Sequence, residues 1–366
     1  MRSSYTEDDV ILLLKDITGL IIPKKTDERE KLIQSGIHYS EMLPLEDKLG
    51  EQYIQTYKLA LKNYAKSTAN AVSVVSEKIY EKNKKNKKNI VLVSLARAGT
   101  PIGILIKRYL EKKYRSCYIK HYSISIIRGR GIDKNAMSYI LDRHSASDIQ
   151  FVDGWTGKGA ILKELEKNIA KYPNISPKLA VISDPANITD MCGTHEDILI
   201  PSSCLNSTVS GLISRTFLRD DIIKNYDFHG AMYYEEFENE DVSYEFIEEI
   251  EKNFDFNAKN NVIENNKNKE NIDGIINENI NGVLEVEELA KFYSIKDINF
   301  IKPGIGETTR VLLRRTPWKI IINKQYENSG FLIHLFNLAM EKKVPIEYYP
   351  LKNYKACGII KNISDI

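Results

Sequence analysis

No two of the four cysteines (Cys117, Cys192, Cys204 and Cys357) form a CxxC pair. Their scatter argues against a disulfide framework and against a thiolate-rich zinc site. The chain also lacks an excess of charge of one sign. Its 52 Lys and Arg stand against 50 Asp and Glu, a formal net charge of +2, so any contact with nucleic acid has to come from a local patch. No run approaches the roughly 20 apolar residues needed to cross a bilayer. Residues 1–16 place acids ahead of their short apolar stretch, unlike a secretory leader. These absences lead us to expect a cytoplasmic chain with no membrane contact.

What is present is enough for buried cores: 42% of the 366 residues are hydrophobic, and at about 100–200 residues per domain the length suggests two or three domains. Residues 1–88 are expected to be a mostly helical N-terminal region packed on the next domain. The stretch TEDD at 6–9 has the capping hydroxyl and acids of a helix start. Tyr53, Tyr57, Tyr64, Val72 and Ile79 recur at helical spacing across 48–82, and the basic run at 81–88 suits a solvated turn. From 89 to 256, strand-like apolar runs at 90–94, 118–127, 149–152, 179–183 and 197–200 alternate with helical patterns such as 101–113 and 160–171. That alternation predicts an α/β domain with a mostly parallel sheet between helices, in which ligands bind outside the carboxyl ends of strands. Residues 257–281, rich in Asn, Lys and Glu, are expected to be a linker. Residues 282–366 resume an α/β texture, with helices over 283–293, 307–315 and 330–342 and strands over 298–301, 318–323 and 346–349.

Two strand-to-helix loops carry most of the chemistry. In SLARAGTP at 94–101, Pro101 suits a first helical turn. The backbone of Ala96, Arg97, Ala98 and Gly99 can approach an anion closely, and Arg97 adds a forked cation. In FVDGWTGKGA at 151–160, Gly154, Gly157 and Gly159 permit a tight turn of exposed N–H groups, Thr156 adds a hydroxyl and Lys158 a charge. Asp153 ends the strand, where a carboxylate can hold sugar hydroxyls or a metal. Between the loops, IIRGRGID at 126–133 sets Arg128 and Arg130 among glycines, a cationic segment able to close over a polyanion. Asp184, ending another strand, is a further substrate contact.

Residues 31–44, 91–105, 121–132, 150–161 and 200–215 carry a resemblance to the type I phosphoribosyltransferases, and more closely to the phosphoribosyltransferase family linked to tellurite-resistance gene clusters, whose members are also called StiP-type cysteine proteases. The resemblance implies a type I phosphoribosyltransferase-like sheet with a helical N-terminal extension. It also implies glycosyl transfer at C1 of phosphoribosyl pyrophosphate, or of a related nucleotide, with Mg²⁺ bridging the departing pyrophosphate. Asp153, Arg128 and Arg130 would be catalytic, and Asp153 would bind the metal. Ala96 to Gly99 would hold pyrophosphate, and Thr156, Gly157, Lys158 and Gly159 the 5′-phosphate. The usual loop has two adjacent acids and a final threonine; here Asp153 has no acidic neighbour and Gly159 takes the threonine position.

The protease label makes Cys204, in IPSSCLNST at 200–208, an alternative nucleophile. His121, His195 and His229 are then candidate bases, with Asn206 or Asp227 as orienter. A third reading is a non-enzymatic nucleotide- and RNA-binding protein of a stress response. Finally, KPGIGETTR at 302–310 and residues 344–358 resemble the Pelota-type RNA-binding domain. That resemblance implies RNA contact through Lys302, Gly304, Glu307, Thr308, Thr309 and Arg310. A homodimeric assembly is compatible with the sequence.

Overall fold

The computed structural model describes residues 1–83, 89–257 and 281–361. Most of the expected linker, the end of the basic run at 81–88 and the last five residues lie outside them. The center is a six-stranded sheet, parallel throughout, in the order β1 (Ile11–Leu12), β4 (Tyr118–Ile124), β3 (Asn89–Leu95), β7 (Ile149–Val152), β8 (Leu179–Ser183), β9 (Cys192–Thr194). The strands β3, β7 and β8 are short, continuous apolar runs buried on both faces, as a helix-covered parallel sheet requires.

Residues 1–88 are not simply helical. The TEDD segment makes one turn, Thr6 O accepting from the amides of Asp9 and Val10. The chain then leaves as β1, an edge strand of the main sheet, and β2 (Lys15–Asp16), which pairs with β10 (Gly230–Ala231). The apolar residues that a helix would have used are taken by sheet pairing, and Asp9 goes to Arg108, 2.7–2.8 Å from its guanidinium. After α1 (Thr26–Gln34), the expected long helix is present as α2 (Glu51–Asn83). Its buried face runs through Tyr57, Leu61, Ala65, Thr68, Val72 and Ile79 and packs on β8, β9 and the turn Pro201–Cys204. Ala71 lies so close to β9 that a Cβ on Gly193 would stand 2.2 Å from its carbonyl oxygen. Lys78 of α2 donates to the carbonyls of Asp190 and Cys192 at 2.9 and 2.8 Å, clamping both ends of that approach.

The helices α3 (Gly99–Lys113), α4 (Lys134–Leu141), α5 (Ala160–Ile169) and α6 (Ser243–Glu251) complete the body. The predicted strand at 197–200 is absent. The edge strand is β9 instead, because Asp197 turns away to accept the amides of Ile305 and Lys355.

The C-terminal module is a second sheet ordered β11 (Ile301–Pro303), β14 (Ala356–Ile360), β12 (Pro317–Ile322), β13 (Ile346–Tyr348). It carries α7 (Gly282–Phe292), α8 (Ile305–Arg314) and α9 (Ile333–Glu341). Its central strand, β14, is fully buried between β11 and β12. Among the described residues no helix is long and apolar enough to cross a membrane.

Candidate functional site

The two predicted loops do share one edge. Ser94 of β3 sits in register with Val152 of β7, and a Cβ on Gly99 would come within 2.6 Å of Val152 O. The strand order reverses between β4-β3 and β7-β8, so this is the crevice where an open α/β sheet binds ligands. Their donors, however, are already engaged. Arg97 gives Nη2 to Glu46 at 2.6 Å and Nη1 to the Ile213 carbonyl at 2.7 Å. Thr156 donates its hydroxyl to Asp184. Lys158 gives its ammonium to the carbonyls of Ile298 and Ile301 at 2.5 and 3.3 Å, and Gly157 O accepts from Tyr354 at 2.7 Å. Burial, with Lys302 and Arg128 nearby, pushes the Lys158 ammonium down to about 7. The C-terminal module therefore covers the glycine loop expected to hold a 5′-phosphate.

Asp153 is half-buried on the wall of the cleft and pushed up to about 7 by desolvation, its Oδ1 accepting from Gly154 N at 2.8 Å. It belongs to no group of three metal-capable side chains among the described residues. Arg128 and Arg130 do not form a free lid. They sit at the tip of a hairpin between β5 (Ile126–Ile127) and β6 (Gly131–Ile132), held by His38 Nε2 on Arg128 O and Tyr39 Oη on Arg128 N. Arg128 reaches Asn299 at 2.7 Å and lines the cleft, whereas Arg130 pairs with Glu41.

The proposed RNA motif points inward. Thr308 and Thr309 are buried, and their hydroxyls donate to Gly304 O and Ile305 O within α8. Asp197 caps the same helix start from the body. Gly304 faces Asp197, and Gly306 faces Ser203 and Trp155. Lys302, Glu307 and Arg310 line the cleft between the modules, and Arg310 lies 4.4 Å over the Trp155 ring. Of the expected RNA contacts, Gly304 is thus turned toward the body, Thr308 and Thr309 are buried, and Lys302, Glu307 and Arg310 are turned toward the cleft.

Cys204 closes the turn Pro201–Cys204 beneath α2 and α8, without exposed surface. Burial pushes its thiol up to about 12, which disfavors the thiolate a nucleophile needs. The histidines proposed to serve it are committed elsewhere. His121 bonds Asp9 O and Ser94 at 2.8 and 2.7 Å, and burial pushes it down to about 4. His229 bonds Ser125 at 2.8 Å. Asn206 caps Thr208, and Asp227 pairs with Lys15 at 2.6 Å.

A different cysteine does meet a histidine. Cys192 Sγ lies 3.5 Å from His195 Nε2. Nδ1 of the same ring lies 3.9 Å from that sulfur, 3.3 Å from Asp184 Oδ2 and 3.2 Å from Asp184 O. The bond to Asp184, then the bond to Cys192, raise the His195 imidazole to about 10. Asp184 is fully buried at the end of β8 and is fixed by the amides of Ile188 and Thr189 at 2.8 and 2.9 Å. Cys192 is buried, while the His195 side chain is 39% exposed, so solvent reaches the sulfur's neighborhood along the imidazole. The Cys-Gly-Thr-His spacing at 192–195 was the available sequence signal. Residues three apart on an extended strand face opposite sides, however, and here a bend at His195 brings them together.

A family model described as tellurite-like stress resistance cysteine protease StiP matches residues 3–251. A model of the PELOTA RNA binding domain matches residues 280–362. The chain is 34% identical to the cysteine protease StiP of Acinetobacter baylyi over 377 aligned positions, covering 98% of this chain and 94% of that one. These matches overturn the expectation of a phosphoribosyltransferase acting on phosphoribosyl pyrophosphate. The cleft agrees with that correction, since the donors assigned to the two phosphates are spent on the protein's own carbonyls and carboxylates.

Proposed function

We infer, from the premise that this chain belongs to the family of tellurite-like stress resistance cysteine proteases, that it hydrolyzes peptide bonds with Cys192 as nucleophile. His195 is the proton carrier and Asp184 the carboxylate that orients it. One observation carries this assignment: of the six histidines in the sequence, His195 is the one whose ring lies against a cysteine sulfur, with a buried carboxylate behind it.

The chemistry follows from the raised His195. His195, holding its proton up to about 10 beside the Cys192 sulfur, is placed to exchange a proton with a sulfur nucleophile. The thiolate attacks the peptide carbonyl carbon. The C–N bond then breaks as His195 passes its proton to the departing amine, leaving a thioester on Cys192. Water attacks the thioester with His195 accepting a proton, which releases the acid and returns the thiol proton to the pair. Asp184 occupies Nδ1, which leaves Nε2, the nitrogen nearer the sulfur, to carry the proton.

The ligand atoms of Asp184, Cys192 and His195 all lie within 4.8 Å of one another, which gives these side chains a second reading as three ligands of a zinc ion with a fourth position open. A thiol-alkylating agent is expected to stop hydrolysis of an unfolded protein substrate, with one label on Cys192, while a chelator leaves activity intact. Loss on chelation with recovery on adding Zn²⁺ would establish the metal reading. Absence of any peptide hydrolysis would remove both.

The Pelota-type module supports RNA contact by another route than the buried start of α8. Lys324, Lys342, Lys343 and Lys352 are exposed on it. Full-length protein is expected to bind a short RNA with an affinity that falls steeply with salt, and the Lys324→Glu/Lys352→Glu pair is expected to weaken it about tenfold or more. Equal binding by that variant would eliminate this surface.

A further inference from the structure

The cleft between the modules hides a cationic chamber that the hydrolytic site does not use. An inner cavity of about 290 Å³ is lined by Arg97 and Arg215 of the body and by Arg310 and Arg314 of α8. Arg97 is paired with Glu46 and Arg310 with Glu307. No carboxylate is bonded to Arg215 or Arg314 among the described residues. Arg314 leaves both Nε and Nη2 buried without a partner, as Arg310 does its Nε. The remaining acid on the wall, Asp153, is held near 7 by burial and so carries only part of a charge at neutral pH. Burial, together with the neighboring Arg315, Arg29 and Arg97, drags the Arg215 guanidinium down to about 9. Burial and Arg310 do the same to Arg314. Arg215 keeps open surface even so, because it faces the cavity.

Buried polar groups without partners are costly, and uncompensated buried charges more so. Buried, unpartnered N–H groups on Arg314 and Arg310, with the open-surfaced Arg215 across the cavity, are a receptor for an anion carrying at least two charges, and planar forks suit phosphate oxygens. The inner cavity shares Ala98, Asp153, Arg215 and Arg310 with an adjoining outer cleft of about 730 Å³ along Trp155 and the glycine loop. An anion seated inside can therefore carry an organic group outside.

We propose that Arg215 and Arg314, with Arg97 and Arg310 beside them, form a binding site for a compact oligophosphate, free or attached to a nucleoside, that joins the two modules. The anion would be held from both sides, by the body through Arg215 and by the C-terminal module through Arg314 and the unpartnered Nε of Arg310. No bond is made or broken in it.

Thermal unfolding and calorimetry on the full chain test this, with orthophosphate, pyrophosphate and a nucleoside diphosphate as probes. Pyrophosphate, the nucleoside diphosphate or both are expected to raise the melting temperature, and orthophosphate to raise it much less. Preference for the nucleoside form identifies a nucleotide; equal shifts identify the free oligophosphate. Arg314→Met is expected to bind about 10- to 100-fold more weakly. Without ligand it should melt no lower than the parent, since it removes a buried unpaired charge. Arg215→Ala serves as a second variant should Arg314→Met fail to fold. No shift in the parent at millimolar pyrophosphate overturns the proposal. So does an unchanged shift in both variants, or an equal response to any polyanion including a short RNA.

Discussion

Cys192→Ala is expected to lower peptide hydrolysis by on the order of 10,000-fold or more, the scale seen when a covalent nucleophile is removed. Cys204→Ala is expected to stay within a few-fold of the parent. Both sulfurs are buried, and the contrast rests on what each one touches. Cys192 lies against an imidazole that is itself braced by Asp184. Cys204 is sealed beneath two helices with its thiol pushed up to about 12. Rates measured on an unfolded protein substrate, with melting temperatures to confirm folding, decide between them. Retained activity in Cys192→Ala together with loss in Cys204→Ala would reverse the assignment of the nucleophile.

Asp184→Asn is expected to reduce the rate by on the order of 100- to 10,000-fold and to reshape its pH dependence. In the parent, the bond to Asp184 is the largest cause of the raised His195. A histidine raised on folding stabilizes the native state most below its unfolded value, near 6.5. That contribution fades as pH rises through about 10. Activity carried by the thiolate–imidazolium pair should therefore persist into alkaline solution and fall around pH 10. With asparagine, the falling limb should move down toward neutrality. A pH profile of kcat/KM that loses height but keeps its alkaline limb would show that Asp184 does not set the imidazole's proton affinity. Asp184 also accepts the hydroxyl of Thr156, so Thr156→Val is the control that removes the neighboring bond without touching the histidine's carboxylate.

The central strands were legible because burial on both faces leaves only continuous apolar runs, as in β3, β7 and β8. The two-residue strands β1 and β2 were not. Their pairing is decided by partners far along the chain, and two residues carry no period. The strand β14 escaped notice because ACGII at 356–360 is short and contains glycine, yet it takes the middle of its sheet. The shared edge of the loops at 94–101 and 151–160 could be inferred from strand order. What their side chains hold could not, because Lys158, Gly157 and Thr156 are satisfied by Ile298, Tyr354 and Asp184, the first two approaching through module docking and the third across neighboring strand ends. Asp184 stood out in the sequence as a strand-end acid, but for a substrate contact. Its partnership with His195 and Cys192 needed a bend that residue spacing does not announce.

The two short N-terminal strands also set an order of events during synthesis. β1 needs β4, and β2 needs β10. Lys15 closes on the Ile222 carbonyl, 207 positions later. At a ribosomal pace of about 5–20 residues per second, Lys15 waits roughly ten seconds or longer for that partner. During that interval the segment around it presents bare amide edges and the apolar stretch at 10–14. Non-local closure of this kind slows folding and exposes the nascent chain to misassociation. The segment at 11–16 is therefore made well before the partners that complete it.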